Sequence, residues 1–165
     1  MGYFFRLVDM TNELVGKLMS IIVVATVLII TFGVIMRYIF KSPIPVVFEL
    51  TIYPLAAVYA LSTGYALLHN AHVNVDAIIH RLSPRHRLIL AFATFPVFLV
   101  FCAALIWSGF PWAWHSFLIN ETSGSSWSLK LYPYKFALPI GAVLLLLQGT
   151  VNLIRQMDLT KKASK

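Results

Sequence analysis

The sequence predicts an all-α integral membrane protein built on four spanning helices, and three observations carry that prediction. Four runs, Leu18–Met36, Leu50–Leu68, Leu88–Trp114 and Phe136–Ile154, contain no Asp, Glu, Lys, Arg or His. Three of them are 19 residues long, which at about 1.5 Å per residue is roughly 28 Å, close to the thickness of a bilayer's hydrocarbon core. The chain of 165 residues is 59% hydrophobic and only 12% charged, far below the roughly 25% charged of soluble domains. A helix on a soluble core needs a polar face, and these runs have none. Helices and short connections use almost the whole chain, so one membrane domain and no soluble module is expected.

The expected membrane domain covers residues 18–155, with spans at 18–38, 47–68, 84–112 and 133–155. Residues 1–17 precede it. There Tyr3, Leu7, Met10 and Leu14 recur at helical spacing, opposite Arg6, Asp9, Glu13 and Lys17. Mixed charge beside large apolar residues suits an amphipathic helix on the cytoplasmic surface, the alternative being a plain extension of the first span. The first apolar run leads to Arg37 and Tyr38 without a small-residue cleavage site, so no removable signal peptide is expected.

Between spans one and two, Lys41-Ser42-Pro43-Ile44-Pro45 is short, and its prolines stop one helix and restart the next. These two helices must be antiparallel neighbours. Pro54 kinks the second span or marks its first turn, and Gly64 offers a thin place for another helix. The inner connection, His69 to Arg87, is the most polar part of the chain. Ser83-Pro84 reads as the N-cap and first residue of span three. Asp76 to Leu82 reads as a short lateral helix capped by Asp76. The outer connection, His115 to Lys135, contains the polar turn Asn120 to Ser126. Trp107, Trp112, Trp114 and Trp127 flank that turn and predict an interfacial aromatic belt. Residues 156–165 form a basic tail.

Charge sets the expected orientation. With the N-terminus inside, nine Lys and Arg (Arg6, Lys17, Arg81, Arg85, Arg87, Arg155, Lys161, Lys162, Lys165) lie on cytoplasmic segments and four (Arg37, Lys41, Lys130, Lys135) outside. That excess places both termini in the cytoplasm. The net charge of +7 then serves topology and contact with anionic membrane lipid rather than nucleic acid. Cys102 is the only cysteine, so disulfides and thiolate metal clusters are excluded.

Few polar residues are candidates for chemistry. Glu49 sits about one turn inside span two and Arg37 ends span one across the same short hairpin, so a structural pair is expected. The functional alternative is a coupling cation or proton on Glu49, but one carboxylate beside an arginine makes a poor cation site. A heme between spans would need histidines well inside the helices. His69, His72, His80 and His86 lie instead on the inner connection, and His115 at a helix end. No cofactor, metal site or catalytic residue is expected, nor a substrate site: the span midplanes are Leu, Ile, Val, Ala and Phe, whereas transporter sites need broken helices and midplane polar groups. The chain reads as a helper for another subunit's chemistry.

Met36-Arg37-Tyr38-Ile39-Phe40, then Phe48-Glu49-Leu50, then His72-Val73-Asn74-Val75-Asp76, resemble the small membrane (Q-type) subunit of tripartite ATP-independent periplasmic (TRAP) transporters. Gly64 stands where that family has a glycine in helix two, and Tyr134 to Gly141 is similar to its entry into helix four. Val46 stands where the family often has tryptophan, and Leu68 and His69 where it tends to have Arg or Lys. The resemblance implies a non-enzymatic subunit of the bacterial inner membrane, and it marks Arg37, Glu49, Gly64, His72 and Asp76 as structural or interface residues. It implies two partners: a large multi-span permease performing sodium symport of carboxylate-bearing solutes (organic acids), and a periplasmic solute-binding protein. The small subunit would be the static scaffold beside an elevator-type large subunit. Two rival functions are a membrane anchor of an oxidoreductase and a small stand-alone multidrug-type exporter; the latter needs a glutamate in helix one, and Leu18–Met36 has no acid.

Overall fold

The computed structural model describes residues 2–69, 84–125 and 127–163, with the side chains of 84–88 and 159–163 left aside. Described residues form helices joined by turns, with no strand among them beyond an isolated bridge between Thr122 and Lys130. The helices are α1 (Gly2–Tyr38), α2 (Val46–Leu61), α3 (Thr63–Leu68), α4 (Pro84–Leu118) and α5 (Tyr132–Ala163). Four segments are long and apolar enough to cross a membrane: Gly2–Tyr38, Val46–Leu68, Ile89–Leu118 and Tyr132–Asp158. The four expected spans are thus present as helices.

The stretch expected to lie on the membrane surface as its own helix is instead continuous with the first span, since α1 runs unbroken from Gly2 to Tyr38. Helix one therefore contains two acids, Asp9 and Glu13. Nothing between residues 14 and 18 could break the helix: the sequence there holds Gly16 but no proline, and β-branched residues come only singly. Similarly, α5 continues to Ala163, so the basic tail begins inside a helix. The expected lateral helix, with His72 and Asp76, lies outside the described residues.

The hairpin from α1 to α2 forms as expected, with Pro45 at the N-cap of α2. A turn at Ser62 separates α2 from α3, yet hydrogen bonds from Ser62 N to Val58 O and from Ala66 N to Ser62 O, both 2.9 Å, carry the ladder through it. The two pieces act as one span. Pro84 begins α4 as expected. Asn120 ends α4 in a left-handed conformation (φ 47°); Glu121 N bonds Ser116 O and Asn120 N bonds Phe117 O, the double closure of a Schellman turn.

Helix α5 is the hub. It packs on α1, α2, α3 and α4, whereas α4 packs extensively on α5 alone. Accordingly 39% of the apolar segment of α5 is buried, against 6% to 11% in the other spans. Small residues make the close contacts: Ala137, Ala142 and Gly141 on α5, and Cys102 and Ala113 on α4. A Cβ at Gly141 would overlap the Ala60 carbonyl oxygen, so this backbone crossing requires glycine. Aromatic rings close the half of the α4–α5 seam nearest their connecting loop, with Phe110 against Phe136 (6.4 Å between centroids) and Phe117 edge-on to Tyr132 (5.3 Å).

Candidate functional site

Polar side chains gather at the two ends of the bundle. The first cluster lies at the end that holds both termini. Asn12 on α1 and Gln148 on α5 are fully buried. Asn12 Nδ2 donates to Gln148 Oε1 at 2.8 Å and to its own helix at Val8 O at 3.2 Å. Gln148 Nε2 donates to Asp9 Oδ1 (3.1 Å) and Asn152 Oδ1 (3.2 Å). Asn152 Nδ2 in turn reaches the Leu67 carbonyl of α3 at 3.1 Å. The Arg155 guanidinium pairs with Asp9. Three helices are thus sewn together by side chains spaced one turn apart: Asp9 and Asn12 on α1, and Gln148, Asn152 and Arg155 on α5.

Beside this network, Glu13 bridges Lys17 at 3.2 Å and His69 Nε2 at 2.8 Å, joining α1 to the end of α3. The His69 ring packs on Tyr65 with centroids 4.4 Å apart. Both acids that enter helix one are therefore paired. Gly64 lies where the three helices cross: a Cβ there would overlap Asn12 Oδ1 and come within 3.3 Å of the Leu144 carbonyl carbon. The expectation that Gly64 is a thin place for another helix holds, and two helices use it. Asn12 Oδ1 accepts no hydrogen bond in the structure and faces that glycine.

The second cluster lies at the opposite end. Ser123 Oγ donates to Glu49 Oε2 at 2.8 Å, accepts from Leu129 N at 3.2 Å and lies 3.1 Å from Ser125 Oγ. Glu49 thereby pins the α4–α5 loop to the start of α2. Inside that loop Ser123 N bonds Leu129 O and Leu131 N bonds Glu121 O, giving a small folded hairpin. Lys135 pairs with Glu121, and its ammonium sits 4.4 Å from the centre of the Trp112 ring. The Lys135 ammonium holds the Glu121 carboxyl below its ordinary range.

The expected pair of Arg37 with Glu49 does not form. Arg37 is exposed, with its guanidinium 5.8 Å from the Tyr38 ring, while Glu49 is taken by Ser123. The α4–α5 loop instead brings Ser123 onto the carboxylate. Trp107, Trp112, Trp114 and Trp127 are all exposed; Trp112 also holds Lys135. His72 and Asp76 lie outside the described residues. The sequence reading missed Asn12, Gln148 and Asn152. It searched for charge, and an uncharged amide does not interrupt an uncharged run.

Between the two ends the hydroxyls are used locally. Thr26, Thr31, Thr94, Ser108 and Thr150 each donate to the carbonyl four residues back at 2.7–3.0 Å. Thr51 and Thr63 donate three residues back. Such hydroxyls have spent their proton on the helix. Among the described residues no three His, Cys, Asp or Glu side chains converge on one point. Chemically, both clusters are ties between helices, with Asn12 Oδ1 left as an unused acceptor in the first.

A family model described as "Tripartite ATP-independent periplasmic transporters, DctQ component" matches residues 26–159. No curated protein matches the chain.

Proposed function

The chain belongs to that family, the small membrane component of TRAP transporters, and from this premise we propose that it is the scaffold on which a larger permease moves solute. The family is one of inner-membrane transporter subunits rather than enzymes, and it works with a large permease and a periplasmic binding protein. In our reading the transported solutes carry carboxylates, sodium drives their uptake, and the large subunit moves like an elevator against this chain. Both termini face the cytoplasm, as the distribution of Lys and Arg favours.

One observation supports the scaffold role above others: the buried amides and most hydroxyls of the described spans bond to one another or to their own helices, with Asn12 Oδ1 and Ser116 Oγ the buried exceptions. A rigid apolar bundle with its polarity internally consumed suits a stator. The test is sodium-driven uptake in proteoliposomes carrying the small chain, the large permease and the binding protein, singly and together. Uptake is expected only with the complete set; saturable sodium-driven uptake by this chain alone would refute the reading. Orientation is checked separately in a Cys102→Ser background. Cysteines at Ser42 and Ser125 should label from the periplasm, and labelling of one at Ser164 from that side would reverse the topology.

A further inference from the structure

Two glycines of the bundle face an oxygen atom where a side chain would stand. A Cβ on Gly64 would lie 2.1 Å from Asn12 Oδ1, and one on Gly141 would lie 2.1 Å from the Ala60 carbonyl oxygen. Other buried or half-buried glycines meet carbon instead: Gly16 the Tyr65 ring, Gly33 the Val47 side chain and Gly149 the Phe98 ring. In glycine a hydrogen replaces the Cβ and points along the same direction, so at Gly64 and Gly141 it is aimed at the oxygen. A Cα–C bond is about 1.5 Å long, so each of these Cα atoms lies within roughly 3.6 Å of its oxygen. That is the range of the Cα–H···O contacts that recur between packed helices.

The two oxygens differ in what else reaches them. The Ala60 carbonyl also accepts from Thr63 Oγ1 at 2.8 Å. Asn12 is fully buried, and no N–H or O–H reaches its Oδ1. The amide cannot turn over to change this. Its Nδ2 donates to Val8 O and Gln148 Oε1, and a reversed amide would set oxygen against both of those oxygens. Gln148 is oriented in turn by the Asp9 carboxylate, to which its Nε2 donates. A buried acceptor with no donor is costly, and the Gly64 hydrogen is the group placed to supply one.

Position gives the pair a shared role. Ala60 and Gly64 lie two residues to either side of Ser62, the turn that separates α2 from α3. Gly141 approaches this turn from α5 and Asn12 approaches it from α1. Thr63 Oγ1 lies 3.4 Å from the Gly141 carbonyl, which adds a second tie on the α5 side.

We propose that Gly64 and Gly141 are hydrogen-bond donors through their Cα–H groups, to Asn12 Oδ1 and the Ala60 carbonyl, and together clamp the α2–α3 turn between α1 and α5. Gly64 is then needed for its hydrogen as well as for its small size. The proposal does not depend on the functional reading above.

The experiment is proton–carbon NMR of the full chain in detergent micelles, labelled with carbon-13 at the glycine Cα and with backbone signals assigned. The sequence holds eight glycines, so each pair of Hα signals can be followed. A hydrogen held against an oxygen is deshielded. In Gly64 and Gly141 one Hα should therefore lie downfield of its twin, by clearly more than at Gly33. Asn12→Leu removes the oxygen at similar side-chain size, and the separation at Gly64 should then fall by more than half. The separation at Gly141 should persist in that variant, which also shows that the fold has survived. If Asn12→Leu does not fold, the comparison with Gly33 in the unmodified chain still decides. Separations at Gly64 and Gly141 no wider than at Gly33 would overturn the proposal, as would a Gly64 separation that survives Asn12→Leu.

Discussion

The two ends of the bundle are held by opposite kinds of chemistry. At the end with both termini, the fully buried amides Asn12 and Gln148 and the half-buried Asn152 link α1, α3 and α5, and their one ion pair is partly shielded. At the other end the ties are a serine on Glu49 and a lysine on Glu121, each partly buried and held by a connecting loop rather than between helices. In low-dielectric surroundings a buried polar group left without a partner costs far more than its bond is worth when made. A pair that a loop holds at the bundle end loses less, because the loop can open and let water replace it. The terminal network should therefore fix the fold, and the loop ties should mainly position a surface segment.

The sharpest way to break that contrast is Gln148→Leu. It removes the acceptor of Asn12 and the donor to Asp9 and Asn152 at nearly constant volume, and should destabilise the protein by about 2–3 kcal/mol, read as a fall in unfolding midpoint in detergent. Adding Asn12→Leu should restore part of the loss, since removing both partners leaves fewer polar groups unpaired. If Gln148→Leu proved neutral, the network would not be what holds α1 in place. Next in size is Gly64→Ala, whose Cβ would overlap Asn12 Oδ1. A cost of about 1–2 kcal/mol is expected for such overpacking, and it should shrink in an Asn12→Ala background, which removes the obstructing oxygen. Equal costs in both backgrounds would place the clash on the Leu144 backbone instead.

The loop end should respond least. Glu49→Gln keeps an acceptor for Ser123 and should move the unfolding midpoint hardly at all, while Glu49→Leu should expose the α4–α5 loop to protease without unfolding the bundle. Acid tests the Glu121–Lys135 pair. Glu121 has its carboxyl held below its ordinary value of 4.5, so its contribution is complete above that pH and is lost as pH falls through the lowered value. Trp112 fluorescence, sensitive to the Lys135 ammonium over its ring, should change in that acid range and not between pH 6 and 8. A midpoint near neutrality would show that another group controls the loop.

Much of this architecture was legible. Uncharged runs located the spans, Pro43 and Pro45 located the tight hairpin, Pro84 the start of α4, and Gly64 the helix crossing. The site was less so. Arg37 and Glu49 are neighbours in sequence across a short turn, which made their pairing attractive, yet Ser123, 74 residues away from Glu49, won the carboxylate because the loop folds back over α2. Asn12 and Gln148 are separated by 136 residues, and no local pattern announces such a partnership.

What the sequence determined by itself is that these segments are helices and that they sit in a membrane. Both follow from local cost: backbone polar groups in lipid must bond within the segment, and an uncharged run about 28 Å long has nowhere cheaper to go. What only the tertiary structure decided is which way α1 faces. Periodicity shows that Tyr3, Leu7, Met10 and Leu14 share one side and Asp9 and Glu13 the other, but not which side is inward. Partners supplied by α3 and α5 (Gln148, Arg155 and His69) turn the polar side in. The physical reason is that a polar face can be satisfied by water or by other side chains, and only the assembled bundle brings those side chains within reach.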